Sequence, residues 1–206
     1  METKKINVGS GPTRRNGWIN VDIQPFESVD VVSDVTKEWQ FDGVDRIYAE
    51  HFIEHLNLDY GIHFLVNAGK SMKDGGWIRL STPNIEWVLK THYNLDRNSQ
   101  NDNNLLDSVM STNRAFYGWS HRFLYSPFML KKILIDIGYK NVRFKKFGES
   151  EVEEFKNIEE HDRPSSFDDS DNIIVVEAQK DGAINFPTEL HQILTEKFIK
   201  YAKSKG

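Results

Sequence analysis

Cysteine is missing from this sequence altogether. A chain without cysteine forms no disulfide and uses no thiolate, so it has neither a cysteine nucleophile nor a cysteine-ligated zinc site. The absence of disulfides also means that nothing in the composition indicates an oxidising compartment.

Long apolar runs and an excess of positive charge are missing as well. No apolar stretch approaches the ~20 residues that a helix needs to cross a bilayer. The opening residues METKKINVGS lack the apolar region of a signal peptide, so a cytoplasmic location without membrane contact is expected. The 26 Lys and Arg residues are outnumbered by 31 Asp and Glu, which gives a net charge of −5 and argues against nucleic acid as the main partner.

What is present is the composition of a soluble globular protein. The 206 residues are 38% hydrophobic and 28% charged, which suits one α/β domain with a sizeable core. Apolar alternation predicts seven strands, at about 5–8, 18–23, 29–32, 44–49, 77–81, 139–147 and 172–179. Helical patterns predict four main helices, at about 59–72, 84–93, 127–137 and 187–203.

These elements predict a Rossmann-like fold. We expect a mostly parallel seven-stranded sheet flanked by helices, with an antiparallel edge strand and a first helix reduced to about one turn. The reduction follows from length, because only seven residues, 12–18, separate Gly11 from Ile19 of the second strand. Extended, seven residues reach ~23 Å, enough to run back beside a short strand but not to form a crossover helix.

Three segments are not part of the predicted sheet or of the helices that connect its strands. Residues 94–118 are rich in Asn, Asp and Ser and are predicted to form a polar lid with a helix near 105–110. Residues 149–171 are acidic and are predicted to be a solvated loop with a helical piece. The final helix is predicted to be amphipathic, with Leu190, Ile193, Leu194, Phe198 and Tyr201 inward. The predicted division is a domain over 1–182 followed by a helix over 183–206.

The strongest local pattern is the glycine turn in INVGSGPTRRNGWINVDI, residues 6–23. Two glycines around Ser10 let the backbone turn sharply and approach a ligand, as in nucleotide sites. A dinucleotide fingerprint needs a third glycine at position 14, which is Arg14, so an NAD site is poorly supported. Acidic residues follow the next three predicted strands at Asp22, Asp34 and Glu50, all at the edge where such sheets bind ligands.

With these residues in order, the sequence resembles class I S-adenosylmethionine-dependent methyltransferases. It is most similar to small predicted methyltransferases that contain NVGSGP…GWINVDI, DRIYAEHFIEHL, RLSTPN and HRFLYSPFMLKKILIDIGYKNV. The resemblance covers about residues 5–180. It is the reason for predicting that the domain over 1–182 is a methyltransferase domain. It implies S-adenosylmethionine as the cofactor.

The resemblance also implies which residues hold that cofactor. They are Gly9, Ser10, Gly11, Pro12, Asp22, Ile23, Asp34, Val35, Glu50 and His51. The glycine turn would line the methionine part, and Asp22 would hold the ribose hydroxyls with Ile23 beside the adenine. Asp34 and the Val35 backbone would meet the adenine edge, while Glu50 and His51 would lie under the sulfonium.

The segment HFIEH, residues 51–55, permits a second interpretation. It matches the H-x-x-E-H zinc-hydrolase motif, in which His51 and His55 would share one ion with Glu54 as the base. A zinc protease needs a long helix around this motif, whereas here it follows directly on a strand. We therefore predict no metal, with His55 in a structural role and His51 facing the substrate.

The methyl acceptor is predicted to be a small molecule. A hydroxyl or amine acceptor needs a base near neutrality, for which His51 and His121 are the candidates, although His121 could equally be a loop histidine bonded to backbone. Arg122 and Tyr125 are the candidate substrate contacts. No Asn/Asp-Pro-Pro-aromatic motif follows the fourth strand, which argues against DNA amines, and the resemblance points to sugars or related metabolites. A non-catalytic protein that binds an adenosyl ligand is the alternative from another class.

Overall fold

A single seven-stranded sheet organises the molecule. The computed structural model describes residues 3–37, 39–92, 102–160 and 171–203. The strands are β1 (Lys5–Val8), β2 (Ile19–Asp22), β3 (Val31–Val32), β4 (Val44–Glu50), β5 (Met72–Pro83), β6 (Lys140–Lys145) and β7 (Ile173–Gln179). The helices are α1 (Leu58–Ser71), α2 (Ile85–His92), α3 (Asp102–Tyr117), α4 (Pro127–Ile137), α5 (Thr188–Leu194) and α6 (Lys200–Lys203).

The strand order is β3-β2-β1-β4-β5-β7-β6. Strands β1 to β5 pair in parallel, whereas β7 runs antiparallel between β5 and β6. The predicted mixed sheet with antiparallel pairing at one edge is therefore confirmed. Strands β6 and β7 pair antiparallel although 27 residues, 146–172, separate them in the chain.

The reduced first crossover is also confirmed. Residues 9–18 form turns and no helix, yet they return the chain so that β2 pairs in parallel with β1. The connections from β2 to β3 and from β3 to β4 likewise contain no helix among their described residues. The first regular helix, α1, begins only after β4, at an N-cap where the Asn57 side chain accepts a bond from the Tyr60 amide.

The larger core lies between the sheet and the helices α1, α4 and α5. Helix α4 has the predicted boundaries, because the Ser126 hydroxyl caps its start, Pro127 occupies its first turn and Gly138 ends it at φ 117°. On α1 and α4 the buried residues include Ile62, Leu65, Leu130 and Leu134. The Tyr139 hydroxyl donates to the Leu65 carbonyl at 2.9 Å and ties β6 to α1.

The acidic segment after β6 differs from its prediction as a solvated loop. Val152, Phe155 and Ile158 are buried and pack with Trp18 and Tyr48 on the face of the sheet opposite the larger core. Glu159 is fully buried and pairs with Arg79 of β5. The segment is acidic overall but carries an apolar residue every three positions, and this spacing allows one side of it to pack. Its predicted continuation over 161–170 lies outside the described residues.

The C-terminal helix is present, but its predicted apolar face is partly wrong. Leu190 and Ile199 are buried, whereas Ile193, Phe198 and Tyr201 are 47%, 39% and 62% exposed. Residues 195–199 form a π-helical turn between α5 and α6. The wider turn shifts the side chains within and after it, which accounts for the exposure of Phe198 and Tyr201 but not for that of Ile193, which precedes the turn. No helix in the described part of the chain is long and apolar enough to span a bilayer.

The predicted polar lid lies only partly within the described residues. Residues 94–101 fall outside them, and α3 extends well beyond the short helix predicted at 105–110. That this segment acts as a lid, and that the chain divides at residue 182, stay predictions.

Candidate functional site

The carboxyl ends of four strands bring the predicted cofactor residues to one edge of the sheet. Val8 of β1 pairs with Val21 of β2 and Ala49 of β4, so the residues that follow each strand lie side by side. Asp22 in turn pairs with Val32 at the end of β3. The glycine turn and the acids Asp22, Asp34 and Glu50 are therefore adjacent, although 41 positions separate the first from the last.

The glycine turn has the backbone that its sequence predicts. Gly9 and Gly11 have φ values of 66° and 56°, which other residues adopt at a cost. The Gly9 amide donates to the Val21 carbonyl at 2.8 Å, and the Gly11 amide donates to Asp22 Oδ2 at 2.9 Å. A side chain at Gly9 would collide with the Phe52 ring, since a Cβ there lies 2.4 Å from Phe52 Cδ2. The turn is thus closed on one side by an aromatic ring and on the other by a carboxylate.

A mainly apolar cleft opens beside this turn. It is lined by Val8, Gly9, Val21, Asp22, Ile23, Ser33, Asp34, Val35, Thr36, Phe52 and Leu56. Ile23 is 60% exposed at its mouth, while Val35 is buried in its wall. An apolar cleft with acids at its rim can receive a flat heterocycle and hydrogen-bond the hydroxyls attached to it.

A polar cleft lies next to it and shares Gly9. Its lining is Asn7, Gly9, Ser10, Thr13, Arg15, Glu50 and Glu160. The Arg15 guanidinium stands 4.9 Å above the Tyr48 ring, 4.0 Å from Glu50 Oε2 and 3.4 Å from Glu160 Oε1. Arg15 Nε and Ser10 Oγ are buried without a hydrogen-bond partner among the described residues. The cleft therefore offers both a cation and carboxylates to a ligand.

Arg15, Phe52 and Glu160 were missed by sequence reasoning. The pair Arg14–Arg15 directly after the glycine turn was a usable signal, since a cation beside such a turn can meet an anionic group. The structure separates the two: Arg14 is half exposed and pairs with Asp30, whereas Arg15 enters the cleft. Nothing local in the sequence indicates Phe52 or Glu160, which reach the site through the folding of the chain.

The two rim acids already accept hydrogen bonds from the protein. Asp22 accepts bonds from the Gly11 and Gln24 amides, one on each oxygen. The hydrogen bond from the Thr36 hydroxyl lowers the pKa of Asp34 below its ordinary value, and the nearby Lys37 acts in the same direction. Each carboxylate oxygen has two lone pairs, so both acids keep capacity for ligand hydroxyls or amines. Pro12 is exposed and lines neither cleft.

The histidine segment does not form the H-x-x-E-H arrangement. His51 has a left-handed backbone at φ 46° and precedes a short 3-10 turn, Ile53–His55, instead of lying on a long helix. Its Nδ1 lies 3.0 Å from Glu54 Oε1, and His55 instead faces His121. The zinc-hydrolase interpretation fails because His51 and His55 are not presented one turn apart on the same helical face.

The residues predicted to act on the methyl acceptor, His121, Arg122 and Tyr125, have different surroundings. His121 lies beside the Glu54 and His55 side chains, and its Nδ1 bonds the Ala115 carbonyl at 2.8 Å, as expected of a loop histidine. Arg122 is exposed, with its backbone amide bonded to the Glu54 carbonyl. Tyr125 is only 1% exposed, and burial raises the pKa of its hydroxyl. A side chain this deep packs in the core, which argues against the predicted substrate contact; that role stays a prediction.

Comparisons with known proteins support the fold. No protein-family model matches the chain, and no curated protein is similar to it in sequence. Among solved structures, it is similar to a SAM-dependent methyltransferase from Archaeoglobus fulgidus, at 19% identity over 86% of each chain and a TM-score of 0.54.

Two further structures give the same result. The methyltransferase domain of bacterial CtHen1-CN is 16% identical over 86% of this chain and 90% of its own, with a TM-score of 0.51. PigF, solved with S-adenosylhomocysteine (SAH), is 15% identical over 86% of this chain and 50% of its own, with a TM-score of 0.50. At these identities the likeness concerns the architecture: the chain has the class I methyltransferase fold.

Proposed function

We propose that this protein transfers the methyl group of S-adenosylmethionine to a small-molecule acceptor. The observation that carries the proposal is the pair of clefts that meet at Gly9. One is apolar with acids at its rim, and the other holds Arg15 and Glu50. A ligand with an adenosine at one end and a zwitterionic amino acid at the other has matching chemistry at both ends.

Each part of the ligand has a partner of suitable charge. Asp22 accepts bonds from the ribose hydroxyls, and Ile23 and Val35 pack against the adenine, whose edge meets Asp34. In the polar cleft, Glu50 binds the ammonium group of the methionine part and Arg15 binds its carboxylate. Charge-assisted hydrogen bonds of this kind are stronger than neutral ones, which favours this orientation over its reverse.

The chemistry needs few protein groups. The acceptor attacks the methyl carbon in line with the C–S bond, so much of the catalysis is positioning. His51 is the proposed base: with Nδ1–H donating to Glu54, the tautomer leaves Nε2 able to accept a proton. Small metabolites, with sugars and sugar-derived compounds first among them, are the proposed acceptors.

Calorimetry tests the cofactor assignment. We expect Asp22→Ala to weaken binding of S-adenosylmethionine by well over tenfold, because charge-assisted bonds to the ribose are lost. Asp22→Asn is the companion variant, since it keeps the size of a side chain that also holds the Gly11 amide. Asp136→Ala is the control, because Asp136 pairs only with Lys132 on the surface of α4 among the described residues.

Unchanged affinity in a folded Asp22→Ala variant would overturn the assignment. Methyl turnover with a panel of hydroxyl- and amine-bearing metabolites then separates an enzyme from a non-catalytic protein that binds the same ligand. Tight binding without turnover of any acceptor would favour the second.

A further inference from the structure

We propose that Glu54, His55 and His121 form a binding site for a divalent transition-metal ion, with Zn²⁺ as the best-matched metal. One ligand atom from each of the three side chains lies within 4.8 Å of the other two. The site itself stands on this geometry alone. Its role in catalysis, described below, rests on the proposed methyltransferase function.

Backbone hydrogen bonds hold the two segments of the cluster together. Glu54 and His55 belong to the 3-10 turn after β4, while His121 follows a second 3-10 turn, Gly118–Ser120. The amides of Arg122 and Phe123 both donate to the Glu54 carbonyl, at 2.8 and 3.2 Å. Glu54 is thereby joined to Arg122, 68 positions later in the chain and next to His121, the histidine that completes the cluster.

Neighbouring groups orient the ligands as metal sites require. His121 Nδ1 bonds the Ala115 carbonyl at 2.8 Å, which places the proton on Nδ1 and leaves the Nε2 lone pair for an ion. Glu54 is held by His51 Nδ1 on one oxygen and by the Thr82 hydroxyl on the other, both at 3.0 Å. Such partners fix ring orientation and tautomer, and they are characteristic of metal-binding histidines and carboxylates.

Charge supports the same assignment. The Glu54 side chain is 0% exposed, and a buried carboxylate needs a compensating positive charge. Among the described residues no Lys or Arg forms an ion pair with it. A dication between Glu54 and the two imidazoles would supply the missing charge at the position where the three ligands converge.

The donor set selects the class of metal. Two imidazoles and one carboxylate are the ligands of catalytic zinc sites, whereas Mg²⁺ and Ca²⁺ prefer oxygen ligands alone. Tetrahedral bonds of ~2.0–2.2 Å put ligand atoms roughly 3.4 Å apart, so ligand atoms that lie up to 4.8 Å apart need to approach by up to about 1.4 Å. Three protein ligands leave at least one position open for a water or a substrate oxygen.

We place that open position next to the proposed cofactor clefts, because the cluster directly follows residues of both clefts in the chain. Glu54 follows Glu50 of the polar cleft by four residues, and Phe52 of the apolar cleft lies between them. An acceptor hydroxyl bound to the ion would lose its proton more readily, and His51, the proposed base, would accept that proton. Its oxygen lone pair forms the bond to the methyl carbon, and the electron pair of the broken C–S bond remains on sulfur, leaving S-adenosylhomocysteine. The acceptor class implied is therefore an alcohol.

Metal binding is tested without any methyl acceptor. The purified, tag-free chain is stripped with a chelator and titrated with ZnCl₂ by calorimetry, and CoCl₂ serves as a spectroscopic probe of tetrahedral coordination. We expect one ion per chain. His55→Ala and His121→Ala should each weaken Zn²⁺ binding by more than about 100-fold. Mutation of residues that only hydrogen-bond to metal ligands already lowers metal affinity by about 10–100-fold, and loss of a ligand itself should cost more. His63→Ala is the matched control, because this partly exposed histidine on α1 lies outside the cluster.

The outcomes distinguish this proposal from the proposed function. An absence of Zn²⁺ binding in the folded wild-type chain, or equal binding in His121→Ala and His63→Ala, overturns the site. His121 is the decisive variant because its partly exposed side chain can be removed with less risk to folding than buried Glu54. The affinity for S-adenosylmethionine should be unchanged in His121→Ala. Zn²⁺ binding therefore tests the metal site, and S-adenosylmethionine binding tests the proposed function independently. Once an alcohol acceptor is found, methylation that survives chelation would overturn the catalytic role of the ion.

Discussion

Arg15 shows how much a single residue contributes to the proposed specificity. Adjacent arginines follow the glycine turn, but only Arg15 lies over Tyr48 and lines the polar cleft. Its buried Nε has no hydrogen-bond partner among the described residues, and Glu50 and Glu160 partly neutralise its charge. In the proposed function, Arg15 Nε is the donor that the carboxylate of the methionine part would meet.

The contribution of Arg15 can be measured with two related ligands. Arg15→Ala should weaken S-adenosylhomocysteine binding by about tenfold or more, because a hydrogen bond to a charged group contributes roughly 1.5–3 kcal/mol. Binding of 5′-methylthioadenosine, which lacks the amino-acid part, should not change. Arg14→Ala is the control for the neighbouring charge. Equal losses for both ligands would contradict the orientation proposed for the cofactor.

The glycine turn is an element whose two glycines serve different purposes. Both have positive φ, but Gly9 also faces the Phe52 ring, whereas a Cβ at Gly11 meets no atom within 4 Å. Gly11→Ala should therefore destabilise the fold by about 1–2 kcal/mol, from the backbone alone. Gly9→Ala should cost about 2–5 kcal/mol, because steric overlap adds to the backbone term. Urea denaturation monitored by circular dichroism gives both values, and equal losses would contradict the role of Phe52.

The segment after β6 is attached to the sheet by a buried ion-pair network. Arg79 Nε lies 2.5 Å from Glu159 Oε1, its Nη1 lies 2.6 Å from Glu177 Oε1, and all three side chains are 0% exposed. Removing one member of such a network leaves buried hydrogen-bonding groups of the others without a partner, which costs more than a hydrogen bond itself contributes. The network therefore holds the acidic segment, which would otherwise be solvated, against β5 and β7.

Substitution of Glu159 tests this attachment. Glu159→Ala should lower the free energy of unfolding by about 1–3 kcal/mol, because Arg79 Nε and the Gly148 amide lose their buried acceptor while Arg79 keeps its pair with Glu177. Glu153→Ala, in the same segment but 82% exposed, should change it by less than about 0.5 kcal/mol. Chemical denaturation of both variants provides the comparison. A Glu159→Ala value as small as that of Glu153→Ala would show that the segment is held by its apolar residues alone.

At the scale of the whole molecule, several carboxylates make stability depend on pH. The Asn20 backbone amide lowers the pKa of Asp30, the Thr36 hydroxyl lowers that of Asp34, and Lys145 lowers that of Glu151. A pKa that is lower in the folded than in the unfolded state stabilises the fold above the unfolded value, about 4 for carboxylates. This contribution is lost as the pH falls through the folded values.

The urea midpoint should therefore decrease steeply below about pH 4. Asp30→Asn removes one of these groups, so its midpoint should be lower than that of the wild type at neutral pH and should change less on acidification. Parallel pH profiles for the two proteins would exclude Asp30 as a contributor.

The sequence by itself determined the order and type of the elements. Alternation of apolar residues specified the strands, capping and proline positions specified α4, and the seven-residue spacing excluded a first crossover helix. It also identified Asp22, Asp34 and Glu50 as neighbours, because parallel strands end at a common edge. These features depend on local conformation and on a repeating geometry, both of which are visible in a linear pattern.

Only the tertiary structure decided which side chains share a space. It buried Tyr125, turned His55 toward His121, brought Arg15 and Glu160 into one cleft and packed the acidic segment onto the sheet. A π-helical turn displaced the apolar stripe of the last helix. Each outcome depends on contacts between residues far apart in the chain or on a backbone irregularity, and neither leaves a periodic signal in the sequence.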